Sequence, residues 1–333
     1  MTISREVRLK SRPVGLPSPE TFELASVDVP EPGAGEAQVR NIWMSVDPYM
    51  RGRMMEAKSY VAPYQVGKVM DGGAIGEVVT SRDRALSPGD LVLSGFGWRE
   101  RFNAPVGMLT KLDTRHVPPQ AYLGVAGMTG LTAYVGLLKI AALKDGDVVF
   151  VSAASGAVGS IACQIAKLKG HTVIGSAGGP EKCAFLREIG VDHVIDYKAE
   201  ENLTKALMRT APDGIDVYFD NVGGAHLDAA LASSRPFARF AECGMISQYN
   251  NTSPGEGLKN IGVVVPRRLR IEGFIVSDHL DQQPAFQKDM TQWIAEAKIY
   301  WRETVDEGIE NAAGAFLKLF SGDNFGKMLV KLA

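Results

Sequence analysis

The amino-acid sequence predicts an α/β fold in which a doubly wound parallel sheet accompanies a β-rich region. The main observation is the run Val148–Gly159, a β-branched stretch that ends in small residues and leads into an amphipathic helix. A second strand is predicted at Thr172–Ala177, and strands and helices alternate from there onward. Such repetition implies a parallel sheet that is covered on both faces. Before this region, short β-like runs are broken by Gly and Pro.

Individual elements follow from hydrophobic periodicity and from turn residues. In the first region the predicted strands are Phe22–Val29, Ala37–Val46, Gly73–Val79 and Asp90–Leu93. In the second region further strands are predicted near His193–Asp196, Asp216–Asp220, Arg239–Cys243 and Arg270–Val276. Helices are predicted near Pro180–Ile189, Ala199–Ala211, Gly224–Ser233 and Ala285–Glu296. A last helix and strand, Asn311–Phe320 and Lys327–Leu332, are expected to return to the first region.

The turn after the first strand of the second region has the pattern of a dinucleotide-binding loop. Ala154 stands where the first glycine of G-x-G-x-x-G usually lies, and Gly156 and Gly159 take the other two places. Gly156 would let the backbone approach a pyrophosphate, and Gly159 would let the helix pack closely on the strand. The helix N-terminus offers N–H groups to the phosphates. Because a second strand follows, the sequence favours a dinucleotide site over an ordinary tight turn.

The end of the second strand favours NADPH over NADH. A unit that binds NAD places Asp or Glu there to bond the adenine ribose hydroxyls. This chain has Ser176–Gly179 at that place, and Lys182 follows in the first turn of the next helix. The missing acid removes a repulsion against a 2′-phosphate, and Lys182 adds an attraction. A lysine there can also be an ordinary solvated side chain, so the prediction depends on both features together.

Composition limits the classes of function. The chain has 333 residues, enough for two domains. Charged residues make up 22% and the formal net charge is −2, so no overall field attracts nucleic acid or an anionic membrane. No apolar run reaches membrane-spanning length, and the first residues lack the apolar core of a secretory signal. We therefore expect a cytoplasmic protein that binds neither nucleic acid nor membrane.

Cysteine and histidine form no metal-binding pattern in the sequence. Cys163, Cys183 and Cys243 have no C-x-x-C spacing and no paired histidines nearby. The five histidines are scattered singly. Buried thiols without a catalytic role are the expectation, and so is the absence of bound zinc.

Five ordered motifs resemble the zinc-free branch of the medium-chain dehydrogenases/reductases. They are Val46–Gly52, Gly127–Tyr134, Asp220–Gly224, Ser247–Asn250 and Gly322–Lys327. Within that branch the chain is similar to the prostaglandin reductase, alkenal double-bond reductase and bacterial curcumin reductase group. Its opening Lys10–Gly15 and the stretch Asp47–Arg53 are most similar to the curcumin reductases.

The resemblance implies an architecture and a reaction. A GroES-like catalytic domain is expected at residues 1–122 and 303–333, and a Rossmann NADPH-binding domain at residues 123–302. The implied reaction is NADPH-dependent reduction of the C=C bond of a small-molecule α,β-unsaturated ketone or aldehyde. Some prostaglandin reductases carry a Tyr where this chain has Pro266. A general enone or enal reductase is therefore favoured over one with eicosanoid specificity.

The chemistry of this reaction requires a hydrogen-bond donor for the negative charge that develops on the carbonyl oxygen. A Tyr hydroxyl is suited to it, because it donates and stays neutral at pH 7. Tyr249 is the first candidate, since it lies on a loop at the carboxyl edge of the sheet, where ligands bind. Tyr49 and Tyr60 are second candidates, which the resemblance places facing a cleft between the domains. Each of the three could instead be a packed side chain with a solvated hydroxyl.

The resemblance also implies cofactor contacts at individual residues. Those for the pyrophosphate and the adenosine phosphate are Ala154, Gly156, Ala157, Val158, Gly159, Gly178, Lys182 and Tyr197. Those for the ribose and nicotinamide are Asn221, Tyr249, Phe274, Ile275, Val276 and Asn324. Asn221 could equally be a turn residue, and Phe274 a core residue.

Several alternatives remain open at this stage. The same scaffold could serve a quinone oxidoreductase or an allylic alcohol dehydrogenase, and a non-catalytic NADPH-binding sensor is a more distant possibility. Members of this group are usually homodimers, so the resemblance implies a homodimer. In it the edge strand Arg270–Val276 would pair with a second copy, which would cover the backbone groups of that strand. The substrate depends on the loops Met54–Val66 and Asn251–Gly262, whose shape the sequence does not define.

Overall fold

The computed structural model describes Thr2–Ser253, Gly255 and Gly257–Ala333. The chain divides into two compact units. Unit 1 consists of the residues up to Leu123, Glu303–Asn324 and Met328–Ala333. Unit 2 consists of Gly124–Arg302 and Phe325–Lys327. Among the described residues, none of the helices combines the length and the apolar character needed to cross a bilayer.

Strands and helices have the following bounds in the described residues. The strands are β1 (Thr2–Leu9), β2 (Phe22–Val29), β3 (Glu36–Ser45), β4 (Ala74–Ser81), β5 (Leu91–Ser94), β6 (Arg101–Pro105), β7 (Thr110–Lys111), β8 (Val148–Val151), β9 (Thr172–Ala177), β10 (His193–Asp196), β11 (Ile215–Asp220), β12 (Ser234–Glu242), β13 (Arg270–Gly273), β14 (Glu303–Glu307) and β15 (Lys327–Lys331). The helices are α1 (Met50–Arg53), α2 (Met128–Val135), α3 (Gly159–Leu168), α4 (Pro180–Glu188), α5 (Leu203–Thr210), α6 (Gly224–Ala232), α7 (Val264–Arg267), α8 (Gln283–Ala295) and α9 (Ala312–Ser321).

Unit 1 is built on an antiparallel sheet with the order β14-β15-β3-β4-β5-β7, while β6 also pairs with β3. A separate antiparallel hairpin joins β1 to β2. An aromatic cluster fills part of the core: Phe22 stacks on Trp98, and Phe316 of α9 meets both rings edge-on, with centroids 6.2 Å apart in each pair. Burial of these large rings stabilises the unit.

Unit 2 contains a six-stranded parallel sheet with the order β10-β9-β8-β11-β12-β13. In chain order of its strands this is 3-2-1-4-5-6, the doubly wound order of dinucleotide-binding sheets. Phe150, Tyr218 and Phe240 are in-register neighbours on β8, β11 and β12, and their rings pack with centroids 5.1 Å and 5.6 Å apart. The predicted fold class, a doubly wound parallel sheet with a β-rich companion, is confirmed.

The predicted elements that the structure contains differ from it mainly at their ends. The helix expected from Ala199 begins at Leu203, because Asn202 caps it by accepting a 2.9 Å hydrogen bond from the Lys205 N–H. The strand expected from Arg239 begins earlier, at Ser234, and bends at Phe237, which has a left-handed φ of 65°. The strand expected to reach Val276 ends at Gly273, and a 3₁₀ segment follows. Four strands with many polar residues, β1, β6, β7 and β14, were missed.

Candidate functional site

The turn between β8 and α3 brings the backbone of strand and helix very close together. A Cβ on Gly159 would lie 2.3 Å from the carbonyl oxygen of Ala153, so only glycine fits there. Ala153 itself has a left-handed φ of 45°, whereas Ala154, in the place of the first motif glycine, is buried and donates its N–H to Ser176 O at 2.9 Å. Because the first N–H groups of a helix lack intrahelical partners, the start of α3 suits a phosphate.

A C-terminal segment lies against this turn. Gly326 donates its N–H to Ser155 O at 3.1 Å and forms a bridge with Gly156. The Arg302 guanidinium lies 4.9 Å from the ring of Phe185 and 4.8 Å from the ring of Phe325, which fixes the segment on unit 2. Asn324, the predicted nicotinamide contact, directly precedes these residues in the chain.

The residues expected around the adenosine phosphate are partly brought together. The Tyr197 hydroxyl lies 2.8 Å from where a Cβ on Gly178 would be, so the ring covers this glycine closely. Lys182 is half-buried in the first turn of α4. Asp196, which the sequence analysis did not consider, ends the neighbouring strand β10 and accepts hydrogen bonds from the Gly179 N–H at 2.9 Å and the Lys198 N–H at 3.1 Å.

Asn221 is a structural part of the turn after β11. Its backbone N–H donates to Ser152 Oγ at 2.9 Å, and its side-chain Nδ2 donates to Ser152 O at 2.8 Å. Both bonds attach it to the end of β8, beside the glycine turn. The interpretation as a turn residue is therefore correct, and its predicted role as a cofactor contact stays a prediction.

Asp220, the last residue of β11, organises the same region and was missed as a site residue. Its Oδ1 accepts hydrogen bonds from four donors: Ser152 Oγ, Tyr218 Oη and the N–H groups of Val222 and Gly223, at 2.7 to 3.0 Å. The sequence carries a signal for this role, since an acid ends an apolar strand directly before Asn-Val-Gly-Gly. A carboxylate with so many donors fixes the backbone around it.

The loop that carries Tyr249 is joined to the Asn221 turn. The Ser247 N–H and Oγ both bond Val222 O, at 3.1 Å and 2.6 Å, and the Ile246 N–H reaches Asn221 O at 3.4 Å. Tyr249 is half-buried, and its hydroxyl oxygen accepts a 3.3 Å hydrogen bond from the Met245 N–H. The structure thus places Tyr249 and Asn221 on two loops that are hydrogen-bonded to each other.

Phe274 is a core residue, as its alternative interpretation held. It is 8% exposed, and its ring packs edge-on against Phe219 with centroids 6.4 Å apart. A cofactor contact here therefore falls to the backbone of Phe274 and to its neighbours Ile275 and Val276, which are half-buried.

The two remaining tyrosine candidates lie in unit 1. Tyr49 is half-buried, and burial together with the charge of Asp47 raises the pKa of its hydroxyl, so it stays neutral at pH 7. Tyr60 is 59% exposed, and its charge contributes to the raised pKa of Tyr49. The segment before Tyr64 is fixed by Arg53, whose Nε donates to Ala62 O at 2.9 Å and whose guanidinium lies 4.0 Å from the Tyr64 ring centroid.

The described residues contain no group of three or more His, Cys, Asp or Glu side chains arranged to hold a metal ion. Cys163 and Cys183 are buried and Cys243 is half-buried. Burial and the charge of Asp220 raise the pKa of the Cys243 thiol to about 12. Of the expected pocket loops, residues 251–262 include Pro254 and Glu256, which lie outside the described residues.

Two family models match the chain. Residues 5–112 match the N-terminal domain of oxidoreductase, and residues 157–296 match a model described as zinc-binding dehydrogenase. The first match lies within unit 1 and the second within unit 2.

Curated relatives match over nearly the full length. The chain is 44% identical to the putative NADP-dependent oxidoreductase YfmJ of Bacillus subtilis, with 100% of this chain and 99% of the relative covered. It is 41% identical to the NADPH-dependent curcumin reductase of Escherichia coli, with 98% and 96% covered. It is 40% identical to the NADP(+)-dependent 2-alkenal reductase of Nicotiana tabacum, with 99% and 98% covered.

A solved structure is also similar over nearly the full length of the chain. CurA of Vibrio vulnificus in complex with NADPH has a TM-score of 0.93, 43% identity and 99% coverage of both chains. The quinone oxidoreductase of Escherichia coli has a TM-score of 0.77 at 21% identity, which supports the fold alone.

Proposed function

The chain belongs to the medium-chain dehydrogenase/reductase family, in the group of curcumin, alkenal and prostaglandin reductases, and we propose that it uses NADPH to reduce the C=C bond of α,β-unsaturated ketones and aldehydes. The observation that carries this proposal is the full-length similarity to a CurA structure with NADPH, combined with the close strand-to-helix approach at Gly159. Small-molecule enones and enals are the substrate class. We also propose a cytoplasmic location and no binding of nucleic acid, which agrees with the net charge of −2.

Unit 2, with residues 123–302 as its domain, would hold NADPH, which supplies hydride from its nicotinamide ring when bound. The backbone of Ala154–Gly159 offers N–H groups to the pyrophosphate, and the close approach at Gly159 leaves no side chain in the way. Gly178, Lys182 and Tyr197 would hold the adenosine phosphate. Asn221, the segment Phe274–Val276, Asn324 and Tyr249 would hold the ribose and the nicotinamide.

Tyr249 stabilises the developing charge on the substrate oxygen. Its hydroxyl is fixed by the Met245 N–H, and a phenol that accepts one hydrogen bond can donate another. Such a fixed donor acts without reorganisation when negative charge develops. Tyr49 and Tyr60, within the expected GroES-like domain 1–122 and 303–333, are the second choices. The raised pKa of Tyr49 keeps it a donor at pH 7.

Product analysis tests the proposed reaction most directly. The chain is incubated with NADPH and an enone, and the product is identified by mass and by NMR. A saturated ketone supports the proposal, whereas an allylic alcohol means carbonyl reduction and refutes it. Steady-state rates on an enone, a quinone and an allylic alcohol then separate the alternative activities. No consumption of NADPH with the enone or the quinone, and no formation of NADPH from NADP+ with the alcohol, would leave only a binding protein.

Cofactor preference gives a second test. NADPH should bind at least about tenfold tighter than NADH, a difference of about 1.4 kcal/mol, because Lys182 attracts the 2′-phosphate. Lys182→Glu should weaken NADPH much more than NADH in fluorescence titrations. Lys205→Glu, at an exposed position of α5, is the charge-matched control and should change both affinities little. Equal affinity of the unmodified chain for the two cofactors would contradict the assignment.

A homodimer through the edge of the unit 2 sheet is a third proposal. All four residues of β13 are exposed, and Val265 and Phe237 nearby are 80% and 62% exposed. A second copy would cover this apolar surface and pair with the free edge. We expect light scattering at micromolar concentration to give twice the chain mass, and Ile271→Lys to give the monomer mass. A monomer for the unmodified chain would refute this assembly.

A further inference from the structure

Two acidic side chains are buried side by side at the carboxyl ends of β11 and β12. Asp220 and Glu242 are in-register partners of these parallel strands, so their Cα atoms lie about 4.8 Å apart and their side chains share one face of the sheet. Asp220 is 0% exposed and Glu242 is 9% exposed. Two ionised carboxylates in such a place would repel each other strongly, so one of the pair is expected to hold a proton.

The hydrogen bonds identify which of the two holds the proton. Asp220 Oδ1 accepts four hydrogen bonds, so Asp220 is the acceptor in this network. Among the described residues, no donor reaches Asp220 Oδ2 or either oxygen of Glu242. Glu242 is the in-register neighbour of Asp220 on β12, so its carboxyl is the group placed to donate to Asp220 Oδ2. Because a carboxyl group donates only when it is protonated, Glu242 is the protonated partner.

We propose that Glu242 is a positioning residue, whose carboxyl proton is donated to Asp220 Oδ2 and thereby holds together the two loops that carry Asn221 and Tyr249. The roles of Asn221 and Tyr249 rest on the proposed function. The sharing of the proton does not, since it follows from burial, from register and from the hydrogen bonds of Asp220.

Asp220 connects both loops directly. Its Oδ1 accepts from the N–H groups of Val222 and Gly223 in the first loop. Its backbone carbonyl oxygen accepts from the N–H groups of Cys243 and Gly244, at 3.0 Å and 3.1 Å, where the second loop begins. A second negative charge on Glu242 would repel the Asp220 carboxylate and disturb both sets of bonds.

Of the titratable groups at this place, Glu242 is the one whose pKa lies in the mildly alkaline range. Burial and the charge of Asp220 raise the pKa of Glu242 to about 9. Tyr218 on β11 has its pKa raised well above its usual value, and that of Cys243 is raised to about 12. Burial lowers the pKa of His226 on α6 to about 4, and Ser152, directly after β8, does not titrate.

The sign of the pH effect follows from the raised pKa. Glu242 is protonated in the folded protein and ionised in the unfolded chain at neutral pH, so folding must take up a proton. Its contribution to stability is complete below its usual pKa of 4.5 and is lost progressively as the pH rises to about 9. Across this window, each unit of increase in pH raises the unfolding equilibrium constant of the protein about tenfold through the ionisation of Glu242.

Glu242→Gln separates the proton from the hydrogen bond, because a Gln amide donates to Asp220 at every pH and carries no charge. NADPH affinity is measured by fluorescence at pH 7 and pH 10, together with urea unfolding of the cofactor-free protein from pH 5 to pH 9. In the unmodified chain most molecules have lost the Glu242 proton at pH 10, so the affinity for NADPH should fall by up to about tenfold. Glu242→Gln should abolish most of this fall and flatten the pH dependence of unfolding.

Two further variants complete the design. Glu242→Leu removes the donor and leaves Asp220 Oδ2 without one, so it should weaken NADPH at both pH values. Glu201→Gln, at an exposed position, controls for loss of a carboxylate and should keep the profile of the unmodified chain. Parallel alkaline losses in the unmodified chain and in Glu242→Gln would overturn the positioning role. If none of the proteins binds NADPH at pH 7, the proposed function fails. The unfolding data then still test the shared proton. A smaller pH dependence of unfolding in Glu242→Gln than in the unmodified chain supports it, and an equal pH dependence contradicts it.

Discussion

Tyr249→Phe is expected to lower kcat for an enone by about 10²–10³-fold while the affinity for NADPH stays nearly unchanged. The substitution keeps the ring and removes only the hydroxyl, which the Met245 N–H fixes at the carboxyl edge of the sheet. Loss of one fixed donor affects the transition state more than the ground state, because the substrate oxygen gains its charge during the reaction. Steady-state kinetics with saturating NADPH, and a separate titration of the cofactor, measure the two effects.

Matched variants decide between the three tyrosines. Tyr300→Phe removes an exposed hydroxyl from unit 2 outside the proposed site and should leave kcat unchanged. If Tyr249→Phe has an effect of less than tenfold, Tyr49→Phe and Tyr60→Phe become the variants to compare. A large loss in one of those two would transfer the role to unit 1. A decrease of NADPH affinity in Tyr249→Phe equal to the loss of kcat/KM would mean that the residue serves binding instead.

The parts of the fold that could be predicted from sequence depend on short-range patterns. The strand, turn and helix from Val148 to Leu168 follow from β-branched residues, small residues and helical spacing within about twenty positions. The close approach at Gly159 is likewise a local consequence of the missing Cβ. Polar edge strands such as β1 and β14 carry no such signal, since their pairing partners, not their own composition, make them strands.

The parts of the site that could not be predicted depend on register. Asp220 and Glu242 are separated by 22 positions in sequence, and only the in-register pairing of β11 with β12 makes them neighbours. Asp196 likewise ends β10, and only the pairing of β10 with β9 brings its carboxylate to the Gly179 N–H. By contrast, the loop positions of Asn221 and Tyr249 were evident, because both follow strands whose carboxyl ends meet at one edge of the sheet.

A buried ion pair within unit 2 gives the largest expected effect on stability. Arg239 of β12 and Asp147, just before β8, are 8% and 6% exposed, and the Arg239 Nη1 bonds Asp147 Oδ1 at 3.2 Å while Nη2 bonds Oδ2. The Arg239 Nε also donates to Ala141 O at 3.0 Å. The pair therefore ties β12 to the segment that leads into β8, although the two residues lie 92 positions apart.

Asp147→Ala should lower the free energy of unfolding by about 3–5 kcal/mol, because it leaves the Arg239 charge buried without its partner. Urea unfolding, followed by circular dichroism, measures the loss. Asp145→Ala removes an exposed carboxylate two positions away and should cost less than about 1 kcal/mol. The double variant Asp147→Leu with Arg239→Met replaces the pair by apolar side chains and should recover much of the loss, since a missing partner costs more than a missing pair. A loss in Asp147→Ala no larger than that in Asp145→Ala would show that water reaches Arg239 and that the pair does not hold the strands together.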